Sequence, residues 1–259
     1  MKILNIGSGS KGNVTYIEYG DTSILIDCGL SLKRVTETLR KHSIDRPIDG
    51  ILITHEHSDH VAHMIRIMNK FHTDIFISKK SFNNLPQYIK AYIDIDRVFF
   101  IENESKYMIK DITFVPISLY HDTVNIFGFL LKLGSNSYGY LTDTGIIPEK
   151  YFPLLKQMNY LMIESNHDVE MLMQSNREYT LKQRILSDYG HLSNVQCSEI
   201  LEKIVNQNTR VIMLSHLSEE CNTEELALKI NQDTLDKIGS KCTLLALRQM
   251  EDTMVECDD

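Results

Sequence analysis

The stretch Thr54-His55-Glu56-His57-Ser58-Asp59-His60 constrains this chain more than any other. It places three imidazoles and Asp59 within six residues, directly behind the apolar run Ile51-Leu52-Ile53. Neutral imidazole and carboxylate are good ligands for borderline divalent ions, zinc foremost. The spacing also limits the backbone. His55 and His57 are two apart, so they project alike only where the chain is extended or turning. Asp59 and His60 follow too closely to share one helical face with them. The pattern is a strand end, a ligand loop and a helix beginning near Ser58. It is not the i, i+4 histidine pair of a helical zinc motif. A polar surface loop is the competing reading, and three histidines behind a buried strand weigh against it.

Along the rest of the chain, apolar runs alternate with turn signals. Residues 2–6, 14–19, 22–27, 49–54 and 74–78 read as strands, with Gly20-Asp21 as a hairpin turn. Residues 30–42 have helical periodicity, as do 61–71 with Ile65 and Met68 inward. Residues 79–93 are mostly helical, and Pro86 starts, kinks or breaks a segment there. Residues 98–101, 107–109, 112–117, 127–133 and 138–141 are short strands, the last two joined by the turn 134–137. Strand 160–163 precedes a helix over 169–188. Ser193 with Gln196 makes a capping box for a helix to about Val205, and strand 210–214 follows. Asn222 with Glu225 caps a helix to about Ile238, and 241–257 form a closing strand and tail. With no linker and no internal repeat, residues 1–259 read as a single α/β domain.

The loop Gly7-Ser8-Gly9-Ser10-Lys11-Gly12-Asn13 is built for positive φ. It reads either as a cradle of N–H groups for a phosphate or as a plain β-turn. The five cysteines (Cys28, Cys197, Cys221, Cys242 and Cys257) are odd in number and form no Cys-x-x-Cys. They read as free thiols in a reducing compartment. No signal peptide and no membrane-length apolar run is visible, so the expected location is the cytoplasm, with no membrane partner. A net charge of −8 argues against a basic protein that coats phosphates. It leaves room for a nuclease whose positive field comes from metals. Lys11, Lys79, Lys80 and Arg177 are scattered basic residues, with surface solubility as their default reading.

His, Asp or Glu recurs at five separate strand ends: the 55–60 loop, His121, Asp143, Glu164 and His216. Repetition of a polar ligand after an apolar strand is the signal that a distributed site converges. The order His-x-His-x-Asp-His, then His, Asp and His, resembles the metallo-β-lactamase-fold hydrolases over almost the whole chain. The resemblance implies a four-layer αββα fold, two mixed β-sheets sandwiched between helices. It implies that His55, His57 and His121 bind one metal, that Asp59, His60 and His216 bind a second, and that Asp143 bridges them. The implied cofactor is two divalent cations, zinc first, with manganese as the alternative. Two such ions roughly 3.5–4 Å apart produce hydroxide at neutral pH and clamp the attacked group. Asp27 resembles an aspartate that orients a ligand histidine; a purely structural role is the competing reading. His63, where the family often has glycine, reads as surface or pocket wall.

The loop 7–13, Glu164-Ser165-Asn166-His167-Asp168, Gly190-His191-Leu192-Ser193-Asn194 and Leu214-Ser215-His216-Leu217-Ser218 look like the YycJ/WalJ-type branch. His167 stands where that branch commonly has tyrosine. The branch resembles the phosphodiesterases and nucleases of the fold and is associated with 5′-to-3′ DNA exonuclease activity. Nucleic acid, DNA by resemblance, would then be a transient substrate. His191 and Glu164 match a leaving-group acid and its carboxylate partner, so Asp59, His191 and Glu164 form the expected catalytic set. A helix-entry residue packed against its loop is the alternative for His191. Two further functions compete: hydrolysis of a carboxylic ester, thioester or lactone on the same dinuclear site, and a non-catalytic, metal-stabilised regulatory protein.

Overall fold

The computed structural model describes residues 1–256, so Cys257 lies outside the described residues. Two seven-stranded sheets pack face to face. The first holds β1 (Lys2–Gly7), β2 (Val14–Tyr19), β3 (Thr22–Ile26), β4 (Gly50–Leu52), β5 (Asp74–Ser78) and β6 (Val98–Ile101). The second holds β7 (Tyr107–Ile109), β8 (Ile112–Ser118), β9 (Phe127–Leu133), β10 (Asn136–Leu141), β11 (Tyr160–Glu164), β12 (Val211–Ser215) and β13 (Thr243–Ala246). The last strand, β14 (Thr253–Glu256), returns to the first sheet beside β1. Each sheet runs through three antiparallel pairings and then three parallel ones. This is the mixed-sheet αββα architecture expected from the sequence.

Side-chain alternation sorts the layers. On β3, Ile24 and Ile26 face the second sheet, while Leu25 faces the helix layer. On β11, Tyr160 and Met162 face the first sheet, while Leu161 and Ile163 face the opposite helices. The outer helices are α1 (Leu32–Lys41), α2 (Ser58–Val61), α3 (Met64–Phe71), α4 (Lys79–Asn84) and α5 (Gln87–Lys90) on one side. On the other lie α6 (Phe152–Leu155), α7 (Val169–Gln174), α8 (Tyr179–Leu186), α9 (Asn194–Ile204) and α10 (Glu224–Lys237). Ser31 caps α1, Pro86 sits at the N-cap of α5, and the Ser193–Gln196 capping box opens α9.

Several boundaries differ from the sequence reading. The helix expected over 61–71 is broken at Ala62-His63, because His63 gives its N–H to the carbonyl of Cys28 and so leaves the helical ladder. In α3 it is Met64, Ile67 and Met68 that are buried, with Ile65 only half-buried. The helix expected over 169–188 is two helices. Lys182 Nζ takes the carbonyls of Met173 and Ser175, which ends the first one. The turn before β10 is Gly134-Ser135, shorter than expected. Thr223, not Asn222, caps α10; Asn222 is buried and donates to the carbonyls of Ser165 and Asn166. The expected closing strand is two strands on different sheets.

The strands of the second sheet end level, with Leu141, Ile163 and Leu214 in register, so residues just beyond them meet on one edge. Two of these turning points, Asp143 and His216, and Asp27 at the end of β3 in the first sheet, have φ of 56°, 55° and 62°. Left-handed backbone at a non-glycine residue costs roughly 1–2 kcal/mol, and Asp and His tolerate it better than most. The sharp turn swings each side chain back over the strand ends. Gly29 makes the approach of the two loops there possible. A Cβ on it would lie 1.6 Å from the carbonyl oxygen of Asp59. Gly29→Ala is expected to cost about 3 kcal/mol or more and to displace Asp59. Urea unfolding checks it: an unchanged midpoint would mean the loops separate freely.

Candidate metal centre

Three groups of side chains converge at the strand ends. The donor atoms of His55, His57 and His121 all lie within 4.8 Å of one another. So do those of Asp59, His60, Asp143 and His216, and those of Asp143, Glu164, His191 and His216. His55, His60, His121, Asp143, Glu164 and His216 are buried; His57, Asp59 and His191 are partly open. Every residue singled out from the sequence as a ligand or catalytic group is therefore in one cluster. Asp143 stands between the second and third groups. Its Oδ2 lies 3.3 Å from His60 Nε2 and its Oδ1 3.3 Å from His216 Nε2.

The ring nitrogens not aimed at the centre are held elsewhere. Asp27, fully buried, takes His60 Nδ1 at 2.8 Å and accepts the Thr54 N–H and hydroxyl. The carbonyl of Gly190 accepts from His121 Nδ1 at 3.1 Å. Glu164 Oε1 takes both His191 Nδ1, at 2.7 Å, and His216 Nδ1, at 3.0 Å. Its Oε2 accepts the Thr144 N–H at 2.8 Å. Such partners fix the tautomer so that Nε2 carries the ligand lone pair.

The loop 7–13 has a structural role. The N–H groups of Gly9, Lys11 and Gly12 are taken by Asn13, Gln249 and Gly9, so they do not form a phosphate cradle. Asn13 gives its N–H to the Asp59 carbonyl, and its side-chain amide lies 3.1 Å from His60 Nε2. Ser8 Oγ accepts the His216 N–H. The sequence reading missed Ser8, Asn13 and Asn166, whose Nδ2 donates to the His216 carbonyl at 2.7 Å. Their loops, 7–13 and 164–168, stood out in the sequence, but no local pattern gave these three side chains a role. Glu56 is not part of the cluster: it accepts from Asn84 and Thr123 and pins the ligand loop to its neighbours. His167 is buried, and desolvation pulls its pKa down to about 4.

The electrostatics divide the imidazoles in two. Burial, then the neighbouring His60, holds His55 well below the usual histidine range, and burial lowers His121 too. Burial also opposes a charge on His60 and His216. Asp27, Asp143 and Asp59 outweigh it for His60, while Asp143, Asp59 and Glu164 raise His216 to about 10. Burial likewise opposes a charge on Asp143, but His216 and His60 hold it well below the usual carboxylate range.

The family described as "Beta-lactamase superfamily domain" matches residues 22–217. The chain belongs to this superfamily. Exodeoxyribonuclease WalJ of Streptococcus pneumoniae serotype 2 (strain D39 / NCTC 7466) is 34% identical over 225 residues, covering 86% of this chain and 83% of that protein. Exodeoxyribonuclease YycJ of Bacillus anthracis is 29% identical over 235 residues, covering 90% and 89%. The crystal structure of the metallo-β-lactamase-fold protein YhfI from Bacillus subtilis superposes with a TM-score of 0.70 at 15% identity, over 98% and 99% of the two chains. This β-lactamase-superfamily chain thus falls in the WalJ/YycJ branch and is an enzyme of the metal-dependent hydrolase class.

The clusters suit divalent metal ions. His55 Nε2 is buried with no hydrogen-bond partner among the described residues, a costly state that a cation relieves. The donors are imidazole nitrogens and carboxylate oxygens, the set that such ions prefer. Asp27→Ala is expected to lower metal affinity at the second group by about 10–100-fold, because His60 loses its orienting acceptor. Metal content after equilibrium dialysis reads this, and undiminished uptake would leave Asp27 a purely structural residue. The four described cysteines are free, and no helix among the described residues is long and apolar enough to cross a membrane.

Proposed function

We propose that this chain is a metal-dependent phosphodiesterase acting on nucleic acid, an exonuclease that shortens DNA from the 5′ end. His55, His57 and His121 would hold one divalent ion, Asp59, His60 and His216 the other, with Asp143 shared between them. Bound there, two such ions lower the pKa of water and draw charge from the attacked phosphoryl group. Zinc fits the donor set, with manganese as the alternative.

The observation that carries this reading is Glu164 Oε1, which holds His191 and His216 together. It ties a partly exposed imidazole to a buried one that faces Asp143. With its Nδ1–H held by Glu164, His191 would act as the acid in its imidazolium form, which the carboxylate stabilises, passing the Nε2 proton to the departing oxygen and ending as the neutral ring. A sugar alkoxide leaves slowly without such a donor, and general acid catalysis supplies about 10²–10⁴-fold. A thioester or activated lactone has a leaving group that needs no such help, so a dedicated Glu–His pair favours the phosphodiester. Asp59 has the more open side chain of the two carboxylates in the second group, and would orient the attacking water. The names of the relatives support the same substrate class.

The test is digestion of end-labelled oligonucleotides by protein of defined metal content, with Asp59→Ala as control. Stepwise shortening from the 5′ end that is lost in the control is expected. Hydrolysis of simple esters and lactones, with neither oligonucleotides nor bis(p-nitrophenyl) phosphate cleaved, would sink the proposal.

A further inference from the structure

Against the flank of His191 lies a partly open cavity of about 110 Å³, walled by Ser10, Asp122, Arg177, Arg184, His191 and Ser218. His121 also borders it, so it opens onto the reaction centre. Two guanidinium groups at one small cavity stand out in a chain with 35 acidic and 27 basic residues. Each is steadied by one carboxylate. Arg177 gives its Nε to Glu220 at 2.8 Å, and Arg184 pairs through Nη2 with Asp122. The terminal nitrogens of Arg177 make no hydrogen bond among the described residues. Ser218 Oγ accepts the Cys221 N–H, which leaves its hydroxyl proton free to donate. Asp122 in the wall offsets Arg184, and the open nitrogens of Arg177 with the Ser218 hydroxyl give the surplus of donors that suits an anion.

Size narrows the ligand. The cavity has room for a group of a few heavy atoms, such as a phosphate. Position narrows it again. If His191 protonates the leaving oxygen, its side of the centre is where the leaving nucleotide lies. The cavity then meets the far end of that nucleotide.

We propose that this cavity binds the terminal phosphomonoester of the nucleotide being cleaved off. It makes the enzyme selective for phosphorylated strand ends and sets the cut one nucleotide in. The proposal rests on the phosphodiesterase reading above.

The experiment uses the full metal-loaded chain and oligonucleotides ending in a 5′-phosphate, a 5′-hydroxyl, a 3′-phosphate or a 3′-hydroxyl. One phosphorylated end should be preferred over its hydroxyl counterpart by tenfold or more in kcat/KM, and which end it is gives the polarity. In Arg177→Gln/Arg184→Gln that preference should fall to within twofold. The preference is a ratio within each protein, so a general loss of activity cancels. Binding to His191→Ala of a thymidine dinucleotide carrying a 5′-phosphate, a 3′-phosphate or neither reads the same contact without turnover. Tighter binding of one phosphorylated form, lost in the arginine variants, supports the pocket. Equal rates on both kinds of end, beside normal cleavage of bis(p-nitrophenyl) phosphate, overturn the pocket and leave the phosphodiesterase reading standing. If no phosphodiester is cleaved at all, that reading fails, and the dinucleotide affinities alone decide: indifference to the terminal phosphate overturns the pocket as well.

Discussion

Replacing His191 by alanine is expected to lower kcat on DNA by about 10²–10⁴-fold while metal content stays at the wild-type level. The size follows from the chemistry being removed. On the proposed mechanism the side chain is the proton donor to the departing alkoxide, with its Nδ1 held by Glu164 at 2.7 Å. The loss should depend on the leaving group. p-Nitrophenolate departs as a stable anion, so cleavage of bis(p-nitrophenyl) phosphate should fall far less than cleavage of DNA. That contrast separates a proton donor from a residue that merely packs the entrance to α9. A packing role predicts equal losses on both substrates, together with a lower melting temperature. His191→Ala with undiminished turnover on DNA would remove the acid from the mechanism.

The second large effect is in the pH dependence of metal loading. His216, raised to about 10, and His60, raised well above the usual histidine range, are both protonated near neutral pH when no ion is bound. A cation must displace those protons, whereas His55 and His121, both lowered, have none to give up. Asp143 and Asp59 are held below the usual carboxylate range and are already anionic. The sign follows. Raised pKa values favour the metal-free state at low pH, so affinity at the second group rises with pH and keeps rising until those raised values are passed. Two protons give a gain of up to about 100-fold per pH unit there, against almost none at the first group. Calorimetry in buffers of different ionisation enthalpy should count about two protons released for the second ion and about none for the first. Elemental analysis should find one ion retained at pH 6 and two at pH 8. Loss of both ions along one common pH curve would contradict the division.

Much of the site was legible because each ligand follows its own apolar strand. Ile51-Leu52-Ile53 before His55, Tyr160 to Ile163 before Glu164 and Val211 to Leu214 before His216 are local signals, readable in a window of a few residues. The helix starts with side-chain caps were equally local, which is why Ser193 and Gln196 were recognised. Failures occurred where a tertiary contact overrode a local preference. Asn222 is a good cap in isolation, but its amide serves two buried carbonyls, and Thr223 caps instead. The helix before Phe71 has unbroken periodicity, yet it is interrupted at Ala62-His63, where His63 hydrogen-bonds across to the loop carrying Cys28.

The sequence by itself determined which polar residues stand at the strand ends and the order in which strands deliver them, since both follow from residue type and short-range pattern. Only the tertiary structure decided how each is held. Asp27 reaches His60 across 33 residues, and Glu164 reaches His191 across 27 and His216 across 52. No local rule encodes which oxygen meets which ring nitrogen over such separations. The same holds for the left-handed turns at Asp143 and His216, for the support that Ser8 and Asn13 give the ligands, and for the return of β14 to the first sheet. Packing two sheets against each other fixed these, because it brings distant strand ends to one edge and leaves their polar groups no partners but one another.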